Sequence, residues 1–181
     1  MWLMFVTREK ELELIFWDEM PDNSPLWSTF YVQGGNGYAK DSYFKNLNVD
    51  TVSNPIITDQ YYYAVAGAFA LQGGNGYAKD WYFKNLNVYT VSNPIITDQY
   101  YYAVAGACAL QNVTYEHFTG TSATQASVVV NCSPAILCTD LTFNTILLSP
   151  AKWGEIVKSV CINAHGERAG LLHPKIPCLL N

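Results

Sequence analysis

Two aspartates, Asp59 and Asp98, each stand just before a Gln-Tyr pair at the end of the run NPIITDQY. A carboxylate at a strand end can serve as a general acid when a second carboxylate works from across a cleft. The chain contains no adjacent Asp-Asp, and a lone aspartate in this setting is read as a hydrogen-bonded turn residue. The five cysteines, Cys108, Cys132, Cys138, Cys161 and Cys178, fit none of the paired spacings of zinc sites. No metal or cofactor is expected. The last four lie in a loop-rich third of the chain and read as two local disulfides, with Cys108 left as a buried free thiol. Asn112-Val-Thr and Asn131-Cys-Ser are glycosylation sequons.

Composition narrows the setting of these residues. Among 181 residues, 50% are hydrophobic and only 14% charged, which describes one folded domain. The formal net charge is -5, and the ten Lys and Arg are scattered, so no basic run can follow a phosphate backbone and nucleic acid is not an expected partner. No apolar run approaches the roughly 18 residues of a spanning helix, so no membrane span is expected. The start, MWLMFVTREKELELIF, lacks the basic opening, apolar centre and small-residue cleavage site of a secretory signal.

The elements that position the candidates are repeated. Gln33 to Leu71 and Gln72 to Leu110 align over 39 residues with three differences, Ser42/Trp81, Asp50/Tyr89 and Phe69/Cys108. Such near-identity is tighter than that of solenoid repeats, which share only core positions, and reads as a recent duplication. Beneath it runs an older pattern. Apolar residues recur at i, i+2, i+5 and i+7 in WYFKNLNV (Trp81, Phe83, Leu86, Val88) and in LTFNTILL (Leu141, Phe143, Ile146, Leu148). VTYEHF follows it with Val113, Tyr115 and Phe118, and the first copy with Phe44, Leu47 and Val49. Two alternating segments joined by one extra polar residue predict a bulge or corner that brings the apolar face inward again.

Each of these segments is followed by a second β-rich run: PIITDQ twice, then ASVVVNC, then EIVKSVCI. No stretch shows helical periodicity. The alternation of short strands and turns predicts an all-β fold, a parallel β-helix of about three to four coils, with a β-sandwich as the alternative.

The run NVTYEHFTGTSATQASVVVNCSPAILCTDLTFNTILL, with CINAHG and a final PC, resembles the C-terminal coils of the polygalacturonase and rhamnogalacturonase family of pectin-degrading glycoside hydrolases. NPIITDQYY, Asn93 to Tyr101, resembles the family's NPIxIDQxY strand, and Leu137 stands where the cysteine loop usually has proline. LELIF and NSPLWSTFYVQ resemble the strand before the catalytic coils. The resemblance implies a right-handed parallel β-helix and an extracellular location. It divides the chain into an N-terminal segment (1–32), coils with the duplication (33–150) and a C-terminal tail with a disulfide (151–181). It also implies disulfides Cys132–Cys138 and Cys161–Cys178, a pectic polysaccharide as partner, and Tyr101 as a sugar contact, with Tyr62 as its copy. His165 then falls in the family's tail and is expected as a turn residue.

The family's inverting mechanism sets one carboxylic acid and one carboxylate about 6.5 to 9.5 Å apart. Its motifs Asn-Thr-Asp, Asp-Asp, Gly-His-Gly and Arg-Ile-Lys are not found in this chain, so no catalytic residue is assigned. The resemblance therefore implies a fragment or rearranged form without hydrolytic activity; the alternative is a non-catalytic carbohydrate-binding solenoid. A coil stack open at its N-terminal side presents a sheet edge, which predicts a monomer or edge-to-edge aggregation.

Overall fold

The computed structural model describes residues 30–33, 38–51, 56–59, 69–72, 76–99 and 108–180. Tyr62, Tyr101 and the N-terminal segment up to residue 29, with LELIF, lie outside these residues.

Long strands form one sheet in the order β11 (Ala164–His173), β9 (Cys138–Pro150), β7 (Cys108–Ser122), β5 (Gly76–Val91) and β2 (Tyr38–Asp50). Short strands form a second, in the order β1 (Phe30–Gln33), β4 (Phe69–Gln72), β3 (Ile56–Asp59), β6 (Ile95–Asp98), β8 (Ala126–Asn131) and β10 (Lys158–Ile162). From β5 onward the chain takes a long strand and then a short one in strict alternation, and every pairing among these strands is parallel. That is a parallel β-helix. A sandwich would need antiparallel neighbours. The tail strand β11 lies against β9 as the last long strand, and most of its side chains face solvent.

The extra polar residue of the i, i+2, i+5, i+7 pattern is a single residue in the left-handed conformation. Asn46, Asn85, His117 and Thr145 have φ of 55°, 56°, 55° and 57°, and sit between buried residues that would otherwise fall on opposite faces. A second such column precedes each apolar run, at Asp41, Asp80, Asn112 and Asp140, with φ from 53° to 59°. Short polar side chains tolerate this conformation by bonding locally. Here they also bond along the stack. Asn85 Nδ2 donates to Asn46 Oδ1 at 2.9 Å and Asn112 Nδ2 to Asp80 Oδ1 at 2.6 Å, and outside the corners Asn87 Nδ2 donates to Asn48 Oδ1 at 3.1 Å.

Between the corners the apolar faces stack. Phe44, Phe83, Tyr115 and Phe143 form a column of near-parallel rings with centroids 4.9, 5.3 and 5.0 Å apart. Pairs of this kind add about 0.5–1.5 kcal/mol each beyond the burial of their surface. Leu86, Phe118 and Ile146 form a neighbouring buried column, while Ile95, Val128 and Val130 close the core from the short-strand sheet. Gly120 stands between Val88 and Leu148, with φ 131°, where a Cβ would overlap the Val88 carbonyl.

The duplication is one coil long. Partner offsets are 39 residues from β2 to β5 (Ser42 opposite Trp81), 32 from β5 to β7 (Trp81 opposite Val113) and 28 from β7 to β9 (Val113 opposite Leu141). The first copy therefore lies on the second residue for residue, Tyr43 on Tyr82 and Phe44 on Phe83. One shared triplet behaves differently in the two copies. Ala70-Leu71-Gln72 belongs to the short-strand sheet, whereas Ala109-Leu110-Gln111 opens β7 opposite Tyr77, Ala78 and Lys79. No GGNGYAK segment follows Gln111, so the triplet takes the place which that segment fills in the coil before.

Two outcomes follow from this architecture. Thr145 is β-branched and left-handed, a combination that costs on the order of 1–2 kcal/mol. Thr145→Asn, which matches Asn46 and Asn85 above it, raises the melting temperature by about 2–4 °C per kcal/mol relieved. Deleting residues 33–71 removes one whole coil and keeps the register, so far-ultraviolet circular dichroism shows a cooperative melt. Deleting residues 33–52 alone breaks the register and abolishes cooperativity.

Candidate functional site

The strands that carry the candidate carboxylates lie side by side. β3 and β6 are the two IITD runs, and their register sets Asp59 opposite Asp98, with Asn131 of β8 next in line. Both aspartates close strands rather than sit in turns. The 39-residue repeat equals the coil offset, and this equality is the sequence signal that two separately read aspartates are neighbours. Adjacent strands are about 4.8 Å apart.

β6 is held from both sides. Ile95 and Thr97 are fully buried, and the Thr97 hydroxyl meets the Tyr115 hydroxyl at 2.8 Å inside the aromatic column. Gln99, just beyond the strand, is also buried: its backbone N–H donates to the Asn131 carbonyl at 2.9 Å, and its Oε1 accepts from the Ser133 N–H at 2.6 Å. The glutamine of IITDQ thus fastens the NCSP turn of the next coil. Cys132 and Cys138 close that turn as a disulfide, with Cα atoms 5.7 Å apart. A second disulfide joins Cys161 of β10 to Cys178 of the tail across 5.6 Å. His165 lies in β11, bridged to Leu180, and not in a turn, because the tail folds back as Gly166 N–H donates to Leu180 O and Leu180 N–H to Ala164 O.

A second polar cluster, which no sequence motif marks, lies on the outer side of the long-strand sheet. Glu116 accepts from the Tyr82 hydroxyl and pairs with Lys84 Nζ at 2.9 Å. His117 Nδ1 stands 3.6 Å from Glu116 Oε1 and 3.3 Å from Asn85 Oδ1. Tyr43 packs on Tyr82 with centroids 5.9 Å apart, and Lys45 Nζ lies 5.5 Å from the Tyr43 ring. Tyr82, Lys84 and Glu116 are outward positions of registered strands, with Tyr82 opposite Thr114 and Lys84 opposite Glu116, so only the pairing reveals the contact. The Glu116 carboxylate is engaged by a cation and a hydroxyl, as a surface ion pair would be. Among the described residues, no group of three or more His, Cys, Asp or Glu side chains is placed to hold a metal ion.

The coil order and the cysteine loop now have a match outside this chain. Residues 68–168 fit the profile of glycosyl hydrolases family 28. The chain belongs to this family. The family-28 match starts at the end of the first copy and takes in all of the second, so one copy of the duplicated coil lies almost wholly ahead of it. A protein of Arabidopsis thaliana named a probable polygalacturonase is 34% identical over 147 residues, which cover 81% of this chain and 26% of that protein. A polygalacturonase of Cryptomeria japonica is 34% identical over 142 residues (78% and 21%), and one of Juniperus ashei 30% identical over 147 residues (81% and 22%). The matched regions thus span between about a fifth and a quarter of the length of these relatives.

The buried tie at Gln99 gives a direct test. Gln99→Leu leaves the Ser133 N–H buried without its acceptor, at a cost of about 1–3 kcal/mol. Chemical denaturation is expected to read this loss, while Gln125→Leu, an exposed change, leaves the midpoint unaltered.

Proposed function

We propose that this chain carries late β-helix coils of a pectin-degrading, polygalacturonase-type hydrolase without its catalytic centre. The observation that carries the reading is the family match over 68–168 in a sequence that lacks all four catalytic motifs. The enzyme type to which these coils belong acts outside the cell on pectic polysaccharide, a location that the two disulfides suit. In this chain the coils supply scaffold: stacked strands, left-handed corners and a disulfide-braced turn. Asp59 and Asp98 occupy equivalent positions on neighbouring rungs, an arrangement that favours two like groups over a distinct acid and base. The purified chain is expected to release no reducing ends from polygalacturonate or rhamnogalacturonan above a heat-killed control; release above that control overturns the reading.

A second reading is a non-catalytic carbohydrate-binding solenoid, in which the copied coil lengthens a sugar-contacting surface. The observation that favours it is the equality of repeat and coil, since Tyr62 and Tyr101 each follow by three residues an aspartate that the register sets opposite the other. Titration with oligogalacturonides separates the two. Binding that is lost in the Tyr62→Ala, Tyr101→Ala double variant supports the second reading, and the absence of binding removes it.

A further inference from the structure

The two glycosylation sequons stand in different surroundings. Asn112 is a corner residue of β7 with φ 53° and an exposed side chain. Its Nδ2 donates one hydrogen to Asp80 Oδ1 at 2.6 Å, which leaves the second hydrogen of that amide outside the contact. Thr114, which supplies the sequon hydroxyl, is half-buried on the outer side of the strand beyond the buried Val113. Asn131 is different. It is half-buried at the end of β8, between Asp98 of β6 and Ile162 of β10. The hydroxyl residue of its sequon, Ser133, is fully buried, with its N–H on Gln99 Oε1 and its Oγ accepting from the Ala135 N–H at 3.1 Å. The residue between them, Cys132, closes a short ring with Cys138.

We propose that Asn112 is the glycan-bearing position of this chain and that Asn131 stays unmodified. In the transfer, Asn112 Nδ2 attacks the anomeric carbon of a lipid-pyrophosphate-linked oligosaccharide. The N–C bond forms as the carbon–oxygen bond to pyrophosphate breaks, the lipid pyrophosphate leaves, and the amide gives up one proton. The secondary amide that results keeps one N–H. A single N–H is enough for one bond to Asp80 Oδ1, so modification leaves Asn112 with a donor for the corner contact. At Asn131 the short disulfide ring closes locally and fixes the middle of the sequon, and the Ser133 hydroxyl is withdrawn into the turn. The glycan then stands over the corner column Asp41, Asp80, Asn112 and Asp140, and leaves the short-strand sheet uncovered.

The proposal rests on the extracellular location proposed above, and the test is arranged so that the two can fail separately. The full chain is expressed in a eukaryotic host behind the leader peptide of another protein, and protein from both cells and medium is collected. Peptide-N-glycosidase in heavy-oxygen water then marks each occupied asparagine as a labelled aspartate for peptide mass spectrometry. Label at position 112 in most molecules, with Asn131 unlabelled, is the expected result. Thr114→Ala, which removes the sequon hydroxyl and keeps the Asn112–Asp80 contact, abolishes the gel shift, and Asn131→Gln leaves it unchanged. An unlabelled Asn112, or label at Asn131 equal to or above that at Asn112, overturns the proposal.

Discussion

Every coil of this chain has to turn where the coil beneath it turns. Side chains alternate along a strand, so a corner displaced by one residue would send each following apolar residue to the wrong face. The structure meets this constraint with columns of left-handed residues at fixed register, Asp41 over Asp80 over Asn112 and Asn46 over Asn85 over His117. Each non-glycine residue held there costs on the order of 1–2 kcal/mol. Asparagine and aspartate offset part of that cost by hydrogen bonds up and down the column, which a strand interior would not offer. His117 and Thr145 show that the position outweighs the preference: neighbours on both sides fix the corner, and the residue conforms.

The same constraint explains why a copied segment can be accommodated. A duplication of only part of a coil would supply strands with no matching corner to stack on, whereas these 39 residues equal the offset between β2 and β5 and place like side chains on one another at all but two registered positions, Ser42/Trp81 and Asp50/Tyr89. Of the three differences, Ser42/Trp81 falls at a position where the second copy buries Trp81 against Phe83 and Phe44. The Ala-Leu-Gln triplet shows the converse. It is shared by both copies yet enters different sheets, because the residues that follow it decide which position of the coil remains to be filled.

Legibility in the sequence tracked this distinction between repeated and unrepeated demands. The inward residues were visible because burial repeats in every coil at the same spacing, and the corner was visible as the extra polar residue between Lys84 and Leu86. The conformation of that residue is legible only in part, since Asn and His favour the left-handed region and the β-branched Thr does not. β11 carries no such pattern, because the end of a solenoid has less to cover and most of its side chains face solvent. The Asp59–Asp98 alignment, the Glu116 cluster and the Thr97–Tyr115 contact all join residues 18 to 39 positions apart. Such contacts depend on the coil offset, and that offset shrinks from 39 to 32 to 28 along the chain. Only the first value is written in the sequence, as the length of the duplication.

Copying a coil and building an active site are therefore different operations. A copy moves each side chain by one strand spacing, about 4.8 Å along the axis, into surroundings that are nearly the same. Acid–base catalysis on a glycosidic bond needs two carboxyl groups whose surroundings differ enough to hold one protonated and the other ionised, with room between them for sugar and water. Asp59 and Asp98 are aligned by register in two copies of one sequence, so the strands that carry them are alike. Divergence would have to come from the coils that flank them. On one side the second copy is followed by the NVTYEHF coil, whose residue in register with Asp98 is Asn131. The duplication adds to each sheet a strand that repeats the one beside it.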